Sequence, residues 1–410
     1  MSYLFAVTKS LWSLVPDQIE QRLELKLWDD PDVGNKVPGR IHEPRFRQFW
    51  SVELKADSVV METIDNGYSL PLTEWPPKSS LPNNQSARLD RNRVFVEDEL
   101  EKLEAAGAIY EVKEDKPWLI IPIQVAEPPG RKKRIVIDAS RQLNPYLDFG
   151  KISMDHLAKI VPEMPQGCWF ATLDLKSGYY HLKVAEEHQK LLGIQWTYAD
   201  GRVKTWQWRV SFLGIASLVW KFTKMLIPNK VYLHLKGIPN FCFVDDLIVL
   251  GRTEEECLSN LATAKWSLEQ AGWCINEEKI MLPTRRGVFL GLELDSKTRS
   301  IDIPEKKLKT IHAKIDLTVV KGSAKARDLA SVYGSLVSVL MATGPQILLL
   351  CRQGFRSLGR VKNWEISLNI SNLHEELRFL RKKLGQVRWI SNGKARAPNI
   401  LLHDHRLRCL

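Results

Sequence analysis

Ten residues, Phe241–Leu250, constrain this chain more than any other stretch. Their sequence, FCFVDDLIVL, sets two adjacent aspartates, Asp245 and Asp246, between two apolar runs. Runs of this length, rich in Phe, Val, Ile and Leu, read as buried strands. The two acids therefore fall at the tip of a β-hairpin. Like charges this close raise each other's pKa unless a cation neutralises them. Hard Mg²⁺ is a suitable neutraliser, since it takes carboxylate oxygens together with substrate phosphates. The same dipeptide also suits an ordinary solvated turn, so its meaning depends on what lies on either side.

Upstream, a second apolar strand ends in an acid: Trp169–Leu173 leads into Asp174, and Ser177-Gly178-Tyr179-Tyr180 turns the chain. An aspartate at a strand end is by itself a common turn or cap residue. Earlier still, four consecutive cations, Arg131 to Arg134, lead into an alternating strand, Arg134–Asp138. That turn reads either as a solvated basic loop or as a phosphate clamp, because arginine offers phosphate a planar fork.

The remaining pattern supplies the framework. Residues 92–106 predict an amphipathic helix with Val96, Leu100 and Leu103 on one face and Gly107 as its stop. Strands are expected at Ile109–Val112, Trp118–Val125 and over 203–210. Ser211-Phe212-Leu213-Gly214 breaks the last of these, and a helix from about Ala216 to Leu226 should end before Pro228. Thr253-Glu254-Glu255-Glu256 reads as a capping box. A strand at Trp273–Ile275 leads to Lys279, and Val288–Leu294 holds a further strand pair or turn. Strands and helices alternate, with hairpins expected at both acidic sites. This predicts an α+β fold, an antiparallel sheet backed by helices, rather than a doubly wound sheet. The chain then turns helical: Pro304 opens one helix, Ser323 caps another through Leu340, and a third spans Asn372–Leu384. Residues 1–90 show no chemistry. Their prolines at 71, 76, 77 and 82 suggest an extended lead-in, with Trp50, Leu54 and Val59–Met61 packing as a small helical unit.

The formal net charge of +11 suits an acidic partner, with nucleic acid the first candidate. The six cysteines, Cys168, Cys242, Cys257, Cys274, Cys351 and Cys409, are scattered without zinc-site spacing, which fits buried thiols in a reducing compartment. The first residues, MSYLFAVTKSLWSLVP, lack the basic start and long apolar core of a signal peptide. No stretch is long enough for a membrane span. The expectation is an intracellular protein of cytoplasm or nucleus with no membrane partner.

Taken in order, LDLKSGYYHL, a Gly-containing turn and helix, FVDDLIVL, GWCINEEK and FLGLELD resemble the ordered motifs of a retroelement reverse transcriptase, over roughly residues 60–384. DLKSGYYH, Phe222-Thr223-Lys224, the INEEK of Ile275–Lys279 and the stretch Ser323–Ser338 are most similar to the DIRS/Ngaro group of tyrosine-recombinase retrotransposons. Gypsy-type elements and pararetroviruses are the next relatives. The resemblance implies a right-hand polymerase: a lead-in over 1–90, fingers and palm over 91–300, a helical thumb or connection over 301–384 and a basic tail over 385–410.

It also implies roles. Asp174, Asp245 and Asp246 would be catalytic and, with the Leu175 carbonyl, would hold two Mg²⁺ ions (Mn²⁺ as substitute) about 3.5–4 Å apart for in-line phosphoryl transfer. Asp174 and Asp245 would bridge the ions, with Asp246 nearer the primer side. Arg134, with Lys132 or Lys133, would hold the incoming nucleotide, Lys133 being the preferred of the two lysines. Gly214 belongs to the nucleotide and template loop. Tyr179, five residues after Asp174, would gate against a ribose 2′-hydroxyl. Lys279 would serve as proton donor to pyrophosphate, or simply as a solvated strand-edge lysine. Leu290 and Gly291 would form the primer grip. Partners would be an RNA or DNA template with primer, and dNTPs.

Two departures stand out. The expected LPFGL or LPQG reads VSFLGIAS, with Leu213 at the template-contacting position, and Val244 occupies the hairpin turn. After Leu384 Asp404 is the one acid, so the two-metal site of an RNase H domain is not expected there. The chain reads as a reverse-transcriptase core cut short, or as a remnant that binds nucleic acid without extending it. An RNA-templated RNA polymerase would share the aspartates but usually lacks a bulky residue at the position of Tyr179.

Overall fold

The computed structural model describes residues 37–128, 130, 132–384 and 389–390, the last two by their backbone alone. The chain divides into two units. The first takes in the described residues up to Met154, then Ala171–Val249 and Leu258–Met281. The second takes in Asp155–Phe170, Leu250–Cys257 and the described residues from Leu282 onward. Among the described residues no helix is long and apolar enough to cross a membrane.

The first unit opens with short helical turns and then α1 (Ser58–Asn66), capped by Asp57, whose Oδ1 accepts from the Val60 amide at 2.8 Å. Trp50 just before it is wholly buried, and its indole N–H donates to the Ala271 carbonyl at 2.9 Å. Of the residues expected to pack there as a small helical unit, Trp50, Leu54 and Val60 are buried, while Val59 is exposed and Met61 half-buried. α2 (Asp90–Ala105) buries Val96 and Leu100 as its spacing predicts. β1 (Ile109–Glu111) follows. The strand expected over Trp118–Val125 is two pieces, Leu119–Ile120 and β2 (Ile123–Ala126). The break falls at Pro122, which has no N–H to give a ladder. β2 pairs with β3 (Arg134–Ile137), Ala126 opposite Arg134, so the cationic turn joins the two strands.

β4 (Trp169–Asp174) carries Asp174 at its end, followed by a 3₁₀ turn over Gly178–His181 rather than the hairpin expected there. β5 (Gly193–Thr197) and β6 (Val203–Trp208) pair antiparallel, and β6 pairs in turn with β1. α3 (Leu218–Leu235) corrects the expected stop before Pro228, since the helix runs straight through it. A mid-helix proline removes one backbone hydrogen bond and costs roughly 3 kcal/mol. Burial of Phe222, Met225, Leu226 and Leu233 along the same helix offsets this, at ~1.5–3 kcal/mol for each large side chain. Local chemistry therefore lost to packing.

β7 (Asn240–Phe243) and β8 (Asp246–Gly251) form the acidic hairpin, and β8 lies between β7 and β4. α4 (Glu254–Gln270) begins with the expected box, in which the Glu256 amide donates to Thr253 Oγ1 at 3.1 Å. The reciprocal bond to the Glu256 carboxylate comes from the Arg252 amide, one residue early. Trp273–Ile275 is not a strand. It makes a single antiparallel bridge, Leu175 to Ile275. Trp273 instead packs on Trp50, His181 and Phe222, with ring centroids 6.2, 5.2 and 5.4 Å away.

In the second unit β9 (Arg286–Phe289), β10 (Leu292–Asp295) and β11 (Ser300–Asp302) form an antiparallel meander joined by Trp389–Ile390. α5 (Glu305–Lys321), α6 (Ala326–Val337) and α7 (His374–Lys383) pack beside one another. Pro304 caps α5 instead of opening it. Ser323 lies in a short strand paired with Ser367–Asn369, so α6 starts at Ala326 and ends before Leu340. Of the stripe that the spacing predicts, Leu329, Val332, Leu336 and Leu340, the first three are buried in α6, while Leu340 lies beyond its end and is half-buried. The five described cysteines are buried and none is joined in a disulfide. Arg131, the tail over 391–410 with Cys409 and Asp404, and the chain's first 36 residues lie outside the described residues.

Candidate active site

Strand register builds the site. Asp246 pairs with Phe243, leaving Val244 and Asp245 as the two-residue turn between β7 and β8. Val244 sits at φ 57°, a left-handed conformation that a β-branched residue rarely adopts. The strain expected of this valine is present, at about 1–3 kcal/mol. Beside the turn, the Leu175 amide donates to the Asp245 carbonyl at 3.3 Å, tying the end of β4 to the hairpin tip. Leu175, the expected backbone metal ligand, is buried at this junction.

Asp174 is held from a third direction. The Asn276 amide donates to its carbonyl at 2.8 Å. Asn276 Nδ2 and Lys279 Nζ both donate to its Oδ2, at 3.1 and 2.9 Å. Lys279 is 62% exposed and Asp174 13%. An ion pair this open is worth at most about 1 kcal/mol, so it neutralises Asp174 without locking it. Sequence reasoning missed Asn276. Its signal is its place directly before the Glu277–Lys279 turn.

The other two acids are in electrostatic tension. Burial, and then the charge of Asp174, holds Asp245 above the usual carboxylate range. Burial, then Asp245 and Asp174, pushes Asp246 up to about 6, with Lys279 pulling the other way. Among the described residues no group of three or more His, Cys, Asp or Glu side chains forms a ready-made metal cage. The donor set still fits Mg²⁺, which binds through one or two carboxylates plus substrate phosphates and waters. Two half-buried acids raised by burial and by neighbouring carboxylate charge are a place where a divalent cation relieves a cost.

The pH consequence has a definite sign. A carboxyl raised from its unfolded value near ~3.9 to about 6 favours the fold while protonated, and that stability is lost as pH rises through 6. Asp246→Asn is therefore expected to raise the metal-free melting temperature by roughly 2–4 °C at pH 8, and not at pH 4. Thermal melts at the two pH values check this. An equal gain at both would mean that the effect is not the ionisation of Asp246.

Tyr179 lies in the 3₁₀ turn after Asp174, edge-on to Phe222 at 5.1 Å, and burial and then Asp245 push its hydroxyl up to about 12. Ser211 Oγ donates to its carbonyl at 2.6 Å. His181 fixes the turn. Its Nε2 accepts the Cys274 amide at 2.9 Å, so Nδ1 carries the proton that goes to the Gly178 carbonyl at 3.0 Å. Burial lowers this imidazole's pKa to about 3, so it stays neutral. His181, Phe222 and Ser211 receive no role at the site from sequence, because the partners that give them one are distant in the chain.

Gly214 has φ 136°, and a Cβ there would stand 2.1 Å from the Ile137 carbonyl oxygen. Asn144 Nδ2 donates to its carbonyl at 2.9 Å. The loop with the unexpected sequence VSFLGIAS is thus tightly built, with Leu213 55% exposed. On the β2–β3 hairpin, Arg134 is exposed at the first rung. Lys133 donates to Asn92 Oδ1 at 2.6 Å and lies 4.0 Å from Glu127, which ties the hairpin to α2. Lys132 is the more exposed of the two lysines. The structure thus gathers Asp174, Asp245, Asp246, Lys279 and Tyr179 and places Lys133 and Arg134 on a separate hairpin of the same unit. Leu290 and Gly291 form the turn of the β9–β10 hairpin in the second unit. Both have positive φ (49° and 73°), and Lys307 donates to the Gly291 carbonyl at 3.2 Å.

Residues 132–294 match the family described as reverse transcriptase (RNA-dependent DNA polymerase). The chain is 24% identical over 257 residues to the enzymatic polyprotein of Cestrum yellow leaf curling virus, covering 59% of this chain and 38% of that one. It is 25% identical over 178 residues to the retrovirus-related Pol polyprotein from transposon 412 of Drosophila melanogaster, covering 43% and 14%. The solved foamy viral protease-reverse transcriptase in complex with RNA/DNA hybrid superposes with TM-score 0.62 at 16% identity, over 83% of this chain and 46% of that one. The fold is that of a right-hand polymerase. The chain spans less than half the length of these relatives.

Proposed function

We propose that this chain, whose residues 132–294 are a reverse transcriptase domain with homologues among viral and retrotransposon polyproteins, is an RNA-directed DNA polymerase that adds dNTPs to a primer 3′-hydroxyl on an RNA or DNA template. One observation carries the reading. Asp174 at the end of β4 and Asp245 and Asp246 at the hairpin act on one another electrostatically across a tie between the two elements.

When bound, two Mg²⁺ ions would activate the primer hydroxyl and stabilise the leaving pyrophosphate. Asp174, Asp245 and Asp246, with the Leu175 carbonyl, would hold them. Arg134 and an adjacent lysine receive the triphosphate. Lys279, already on Asp174 in this structure, is placed to hand a proton to the leaving group. Tyr179 excludes a 2′-hydroxyl, its ring braced by Phe222. Tyr179→Ala is expected to reduce discrimination against rNTPs by roughly tenfold or more. Single-nucleotide incorporation with paired rNTP and dNTP checks it, and an unchanged ratio removes the gate from this residue.

Within the wider class, DLKSGYYH, Phe222-Thr223-Lys224, INEEK and Ser323–Ser338 support the DIRS/Ngaro group as the source. An intracellular setting agrees with the five buried thiols, none joined in a disulfide. The deciding experiment is primer extension on RNA and DNA templates with Mg²⁺ or Mn²⁺. Template–primer binding with a steep salt dependence but no extension would select the nucleic-acid-binding remnant instead.

A further inference from the structure

Beneath the turn that carries Asn276 and Lys279 lies a group of charges that the polymerase reading leaves unused. Lys265 of α4 is a lysine with 6% of its side chain exposed. Its Nζ lies 2.9 Å from Glu277 Oε1 and 3.7 Å from Glu269 Oε1. Glu277 opens the short 3₁₀ turn that ends at Lys279. The other oxygens of the two glutamates, Oε2 in each case, are buried without a hydrogen-bond partner. The Glu277 side chain is 42% exposed, so the pair is partly buried; desolvation cancels part of the attraction in such a pair, and its best-attested use is to fix one arrangement among several.

We propose that Lys265 is a positioning residue: by pairing with Glu277 it fixes the Glu277–Lys279 turn, and so holds Asn276 and Lys279 on the Asp174 carboxylate. Three observations support it. The Trp273–Ile275 segment before the turn makes one bridge to the sheet, and beside the backbone bonds of Asn276 to Asp174 and of Lys176 to Cys274 the Lys265 pairing is the side-chain tie that reaches Glu277. Both side chains that contact Asp174 Oδ2 come from residues flanking Glu277. Glu277 Oε1 is also the nearer partner, 2.9 Å from Lys265 Nζ against 3.7 Å for Glu269 Oε1. The catalytic consequence rests on the polymerase reading; the positioning does not.

The test therefore reads the turn directly. Acetylation of intact protein by an N-hydroxysuccinimide ester, quantified residue by residue by mass spectrometry, reports how far each lysine amine is held. Asp174→Asn sets the rate for a released Lys279. Glu277→Gln is the principal variant, because Lys265 keeps Glu269 and the buried charge stays balanced. The doubly neutral Lys265→Met/Glu269→Gln approaches from the other side. Lys279 is expected to label about fivefold faster in both, with other exposed lysines unchanged, and Lys265→Arg should restore slow labelling. If the chain extends primers, kcat falls about tenfold with the dNTP KM within about twofold, since the turn acts on the leaving group more than on nucleotide binding. Lys279 labelling at the wild-type rate in both variants overturns the proposal, as does an Asp174→Asn rate no faster than wild type. Absence of extension by the unsubstituted protein would remove the polymerase reading while the labelling still decides the positioning.

Discussion

Asp245→Asn is expected to lower the single-turnover rate of primer extension by about 10³-fold, equivalent to ~4 kcal/mol of transition-state stabilisation. Asparagine keeps the shape of the turn but loses the charge that a divalent cation needs. The folded protein should not suffer. Burial and Asp174 hold the Asp245 carboxyl above its usual range, so removing that charge relieves a cost in the metal-free state. A variant with an intact or raised melting temperature and no extension separates chemistry from folding. Extension within tenfold of wild type would remove Asp245 from the reaction.

Gly214→Ala is expected to act through geometry. At φ 136°, with the Ile137 carbonyl oxygen 2.1 Å from the place a Cβ would take, no rotamer change relieves the clash, because the backbone fixes the Cβ position and the oxygen is itself backbone. Either the 211–216 loop or the end of β3 must move, and the Asn144 bonds to the Gly214 carbonyl and the Ala216 amide go with it. The cost is about 2–4 kcal/mol, seen as a melting temperature lower by roughly 5–10 °C, together with weakened template–primer binding. Leu213→Ala, at an exposed neighbouring side chain, should leave the melting temperature within about 1 °C. A Gly214→Ala protein as stable as wild type would mean that the loop is slack and its departure from the expected motif inconsequential.

The acidic hairpin was readable because its information is local. Alternating and continuous apolar runs fix two strands, and a two-residue break between them fixes where the charges go. The same holds for α2, for the stripe of α6 and for the cap at Thr253. Pro228 was misread because a rule about one residue met a helix with a buried face running past it, from Phe222 to Leu233. Ser323 was misread because a cap residue also suits a strand. Trp273–Ile275 was taken for a strand because Trp, Cys and Ile favour one, whereas the structure uses Trp273 as a packing post among aromatics.

Sequence by itself determined the acids, the strands that present them and the order of motifs in which they stand. Tertiary structure decided what surrounds each acid: Asn276 and Lys279 on Asp174, His181 between Gly178 and Cys274, Lys265 under the turn, and the Ile137 carbonyl against Gly214. The contacts to Asp174, Cys274 and Gly214 join residues 77 to 105 apart, and Lys265 reaches from a helix to the turn that follows it. Propensity and periodicity act over a few residues, while the environment of a charge is set by whatever the fold brings within a few ångströms of it.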